Sequence, residues 1–151
     1  MEANQILDHL FFINNELKLE DVDPYFEKLG FQNTTREDTL LAYISTNSND
    51  LNGISWFVMN ITGGKIMNSS FRTTKEINLE SILNYAETEY GFSFEVEVDD
   101  IIIYKRDKLQ LHIRTSTFPT SQFSKVMHEI NLFEPFEKRV EVVMISPPPP
   151  F

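Results

Sequence analysis

Three histidines, His9, His112 and His128, are the side chains of this sequence best suited to carry a proton near neutral pH. Nucleophilic catalysis would require one of them within hydrogen-bond reach of an activated Ser, Thr or Lys. Their settings argue against it. His112 alternates with Leu111 and Ile113, so it faces the polar side of its strand. His128 points off the apolar face of the helix predicted around it, and His9 lies at the margin of another helix's stripe. All three read as solvated or edge histidines, and no G-x-S-x-G elbow is present. No residue is assigned a catalytic role. A small enzyme would need a site assembled from scattered Asp, Glu, His and Tyr, which requires a concave pocket with convergent polar groups and shifted pKa values.

Metal and phosphate chemistry fare no better. The sequence has no cysteine, which removes thiolate ligands and disulfides, and no two histidines stand four apart. Asp99, Asp100 and Asp107 fall in two successive turns of one meander, which places them at opposite ends of a sheet. Thr62-Gly63-Gly64-Lys65 lacks the glycine spacing of a phosphate loop and leads into a strand, so no helix N-terminus is there to hold an anion. No cofactor and no metal are expected.

The elements that would position such residues are organised around residues 92–114. Phe92, Phe94, Val96 and Val98 alternate with Ser93, Glu95 and Glu97, which is the period-two pattern of a half-buried strand. Asp99-Asp100 breaks this run, the block from Ile101 to Tyr104 follows, and after Arg106-Asp107-Lys108 comes a third alternating run. Breaks this short join only antiparallel neighbours. Upstream, residues 3–17 carry one apolar arc of a helix, and Asp23 as N-cap with Pro24 at the first helical position signals a second, shorter helix stopped by Gly30. The polar stretch 32–38 reads as a loop. Strands are predicted over 39–46, 54–61 (apolar at both parities, hence central) and 65–74. The last of these is so polar that it belongs near an edge or on a wet face. Asn78 caps a helix over 79–90 that Gly91 ends.

After Pro119, a helix is predicted with Phe123, Val126, Met127, Ile130 and Phe133 on one face, then a strand over 139–145 and a polyproline tail. The fold class is α+β: an antiparallel sheet of six or seven strands with about four helices in two layers, ordered α-α-β-β-β-α-β-β-β-α-β. Residues 1–145 form one domain, and 146–151 form the tail.

Formal charge is −10, from 23 acidic against 13 basic residues, a field that repels nucleic acid and favours a protein partner with a basic surface. No leader and no membrane-spanning run are evident, so a cytoplasmic location is expected. Surface chemistry for a partner remains, and the candidate contact residues are Phe12, Trp56, Ile101, Ile103, Tyr104 and Phe151. A homodimer contact or a client segment would cover them. The leading expectation is a non-enzymatic, chaperone-like or regulatory binding domain. The alternative is an immunity or anti-defence inhibitor that blocks a basic toxin or nuclease, and its binding would weaken more with salt.

Residues 84–133 read as helix, aromatic-rich strand, acidic turn, strands, and a helix opened after Phe118-Pro119. In that order, with the helix and three strands before it, the chain resembles the YbjN-like proteins and the acidic class I chaperones of type III secretion. The helix near Asp23 and the strand after Pro135 depart from both patterns. The resemblance implies a small acidic homodimer that holds an extended client segment and has no catalytic residues.

Overall fold

The computed structural model describes residues 2–45, 53–119 and 124–135. The apolar arc near the N-terminus forms α1, Ala3–Asn15, which buries Ile6, Leu7, Leu10, Phe11 and Ile13. A single 3-10 turn, Leu19–Asp21, leads into α2, Val22–Lys28. Asp23 and Pro24 therefore lie just inside this helix, where proline is tolerated because first-turn N–H groups lack helical acceptors. Asp23 does not cap; its carboxylate turns outward to Arg36 and Tyr43.

Eight strands follow: β1 (Phe31–Arg36), β2 (Leu40–Ser45), β3 (Ser55–Thr62), β4 (Lys65–Thr73), β5 (Ser93–Val98), β6 (Ile101–Arg106), β7 (Leu109–Pro119) and β8 (Ser124–Phe133). Helix α3, Leu79–Tyr90, separates β4 from β5. The Asn78 side chain accepts from the Ser81 N–H, and Gly91 ends the helix at φ +72°. Gly63 and Gly64, both at positive φ, close the β3–β4 hairpin as expected.

The strands form one antiparallel sheet in the order β1-β2-β3-β4-β8-β7-β6-β5. Each half is a four-strand meander preceded by helix, and β8 folds back onto β4 to join the halves at the centre. Among the described residues the edges are β1 and β5. Helices α1 and α3 cover one face, where Phe26, Phe57, Phe71, Ile82, Leu111 and Ile130 belong to a continuous core. Asp8 clasps the two helices by accepting from Tyr85 at 2.9 Å and Tyr90 at 2.5 Å, and the Phe11 ring stacks on Tyr90. A smaller cluster, Ala42, Trp56, Val58 and Met127, lies on the opposite face. Among the described residues no helix is long and apolar enough to cross a membrane.

Several expectations are corrected. The helix predicted after Pro119 is strand β8, so the described residues hold eight strands and three α-helices where six or seven strands and about four helices were expected of the chain. A strand covered on both faces is apolar at both parities, and over a short run that pattern matches a helical stripe. In β8, Ile130 and Leu132 join the helix-side core, while Met127 and Glu129 are buried on the other side. Phe123 lies outside the described residues.

The stretch read as a loop after Phe31 is edge strand β1, whose exposed outer residues need no apolar alternation. β4 is central, not peripheral: Ser69, Ser70, Arg72 and Thr73 are buried, with Thr73 hydrogen-bonded to Ser55 at 2.7 Å. The alternation in β5 is broken, as described below. The strand expected over 139–145 and the tail with Phe151 lie outside the described residues.

Candidate protein-docking edge

Among the described residues strand β5 pairs only with β6, through Ser93↔Lys105, Phe94↔Tyr104, Val96↔Ile103, Glu97↔Ile102 and Val98↔Ile101. The register slips between Phe94 and Val96, which makes Glu95 the extra residue of a β-bulge. The slip has a direct effect on the side chains. Phe94 stays with Tyr104 on the helix side, where the two rings meet edge to face at 5.7 Å. Val96 and Val98 turn to the other side, beside Ile103 and Ile101. A strand read from sequence as presenting one apolar face therefore presents apolar groups on both.

All six residues of β5 are exposed, with Phe94 at 57%, Val96 at 38% and Val98 at 50%. Cross-strand neighbours lie within about 5.5 Å of each other, so Val96, Val98, Ile101 and Ile103 form one two-by-two aliphatic block. Ion pairs rim it: Glu95 with Lys105 at 3.1 Å and Asp100 with Arg114 at 3.7 Å. An apolar patch with a polar rim, beside a strand edge that no described residue pairs, is the physical form of a docking surface.

The six contact residues expected from sequence separate on this geometry. Ile101 and Ile103 are half-buried and belong to the block. Phe12 is 41% exposed and stacked on Tyr25, away from β5. Trp56 is fully buried and Tyr104 nearly so, so neither offers surface to a partner here. Phe151 is not among the described residues. Phe94, Val96 and Val98, exposed along β5, are not among the expected contacts. The signal for them was the pair of acids interleaved in β5, a pattern that edge strands carry to discourage uncontrolled pairing.

The groups suited to chemistry stay apart. His9 bonds to Tyr25, His112 to Gln110 at 2.8 Å, and His128 to Thr115 at 3.0 Å. Burial holds all three below the usual histidine range, against weaker opposing pulls from Asp8, Glu95 and Glu76 respectively. Among the described residues no cluster of three His, Asp or Glu could hold a metal ion.

A hollow of about 530 Å³ opens beside β1, lined in part by Asp23, Glu27, Arg36 and Tyr43. Hydrogen bonds from Tyr43 and Arg36 hold the Asp23 carboxyl below its ordinary value, while burial, then Asp23, pushes the Tyr43 phenol up to about 12. Both shifts lead away from neutrality, whereas a general acid or base works best near the operating pH. The arrangement is suited to holding the β1 edge against α2.

A third feature crosses the sheet centre. Trp56, Arg72, Glu129, Arg114, Ile101 and Val98 stand in register on β3, β4, β8, β7, β6 and β5, on the face away from the helices. Glu129 thus sits between two arginines, and both Arg72 and Glu129 are buried. No protein-family model matches this chain, and neither a curated protein nor a solved structure matches it.

Proposed function

We propose that this protein is a non-enzymatic, acidic binding domain, chaperone-like or regulatory, that captures an extended segment of a partner protein as a ninth strand along β5. The observation that carries this reading is the fully exposed edge strand, with Phe94, Val96 and Val98 open to solvent beside Ile101 and Ile103. An added strand gains main-chain hydrogen bonds along the edge, and the aliphatic block supplies area and side-chain selectivity. A cytoplasmic location belongs to the same reading.

The test is selection of short peptides from a random display library, followed by amide hydrogen exchange. Selected peptides should slow exchange in β5, and the paired change Val96→Lys with Val98→Lys should weaken them by about tenfold or more, roughly 1.4 kcal/mol. Both valines are exposed, so the stability measured by urea denaturation should hold within about 0.5 kcal/mol. Peptides that protect β1 or the helices and leave β5 unprotected would refute the proposal. The inhibitor reading draws on the acids at this same edge, Glu95, Glu97, Asp99 and Asp100. It requires binding that collapses with salt and tolerates the loss of both valines.

A further inference from the structure

We infer that the segment received by β5 alternates apolar with basic residues and comes from a different protein, not from a second copy of this chain. The inference rests on the edge-capture reading above and goes on to specify the partner's chemistry.

The bulge at Glu95 sorts β5 by face. Val96 and Val98 share one face with Ile101 and Ile103, and Phe94 and Glu97 lie on the other. A ninth strand must follow the same period of two. Its residues beside Val96 and Val98 meet the aliphatic block and are apolar. The residue between them meets Glu97. Glu95 is engaged by Lys105 at 3.1 Å and Asp100 by Arg114, whereas Glu97 makes no ion pair among the described residues. A lysine or arginine at that position completes a cross-strand pair of opposite charge. The chain's net charge of −10 steers the same kind of segment in from solution.

A second copy fits badly. Antiparallel self-pairing that sets Val96 against Val96 lays two acid-rich edges, each carrying Glu95, Glu97, Asp99 and Asp100, alongside one another, and like charges brought close are destabilising. Sliding by one residue also sends the valines to the wrong face. In-register parallel pairing stacks each acid on its own copy.

The experiment uses the full chain and three synthetic peptides of about nine residues: alternating valine and lysine, the same with glutamate for lysine, and the same with serine for valine. Fluorescence anisotropy reads affinity and hydrogen exchange reads location. The valine–lysine peptide should bind on β5, with the glutamate and serine versions about tenfold weaker or worse. Glu97→Lys, an exposed change, should reverse the preference between lysine and glutamate. Equal binding of the lysine and glutamate peptides on β5 would overturn the inferred charge pattern and leave edge capture standing. Binding of none of them, with β5 unprotected, would overturn both. A dimer in sedimentation whose β5 amides are protected would show the occupant to be a second copy, against this inference.

Discussion

The three histidine rings couple the fold to pH with a definite sign. Each has its pKa lowered in the folded chain, chiefly by burial. Above the ordinary histidine value of about 6.5 both states are neutral and stability is flat. Below it the unfolded chain takes up protons that the fold resists, so stability falls until the folded pKa values are passed. Stability measured by urea denaturation should therefore be lower at pH 5.5 than at pH 7.5. His128→Gln, which keeps a hydrogen-bonding partner for Thr115, should remove its share of that slope; an unchanged slope would show that this ring does not contribute. Asp23 acts lower and in the opposite sense: its pKa is depressed, so its contribution is present above 3.8 and fades as pH falls through the folded value. Tyr43→Phe removes its largest hydrogen bond, so this acid limb should shrink, with a loss of about 1 kcal/mol at neutral pH. At the other extreme, Tyr25 and Tyr43 are both raised to about 12, so the stability they lend is lost as pH climbs from 10 to 12.

At the level of elements, what local chemistry decides was readable from sequence, and what pairing decides was not. The Asn78 cap, the Gly91 stop and the Gly63-Gly64 turn each answer to a neighbour a few residues away, and all three stand where expected. A helix is expected over β8 because burial on both faces erases the difference between periods of two and of 3.6. The proposed docking edge is half legible: Ile101 and Ile103 stand among the expected contacts, but a bulge that turns Val96 and Val98 away from Phe94 leaves no mark in an unbroken alternation. Exposure was equally out of reach, since Trp56 and Val98 are both apolar strand residues and differ in whether their strand is central or at an edge. The turns offer a test of what local chemistry does decide. Gly64 lies at φ +75° with nothing within 4 Å of an added Cβ, so Gly64→Ala meets backbone strain alone and should cost about 1–2 kcal/mol. Asp107 lies at φ +53° without being glycine. Asp107→Gly should be neutral or stabilising by up to about 1 kcal/mol in urea denaturation, and a clear loss would show that the aspartate side chain itself holds the turn.

At the scale of the molecule, two helix-and-meander halves share one core across the β4–β8 seam. Phe71 faces Ile130 there, Ser69 faces Leu132, and α1 reaches over to donate from Asn14 Nδ2 to the Leu132 carbonyl at 3.0 Å. The halves should therefore unfold together, and Ile130→Ala should lower stability by about 2–5 kcal/mol without splitting the transition. On the seam's other face Glu129 separates Arg72 from Arg114, and its negative charge opposes the effect of burial and of Arg114 on Arg72. Glu129→Leu would leave two cations facing each other where Glu129 and Arg72 are buried, and removing one partner of a buried ion group costs about 3–5 kcal/mol. Replacing both charged partners by apolar residues of similar volume is often nearly neutral, so adding Arg72→Met to Glu129→Leu should recover much of the loss. Urea denaturation of the two single variants and the double variant measures the coupling. Recovery in the double variant would show that Glu129 neutralises its neighbours, and a simple sum of two losses would show that each side chain is held there by packing instead. The β5 edge gives the same cycle an independent readout. Arg114 also pairs with Asp100 in the β5–β6 turn, so a rearranged Arg114 in Glu129→Leu should raise hydrogen exchange at that turn while leaving the distant β1 edge unchanged.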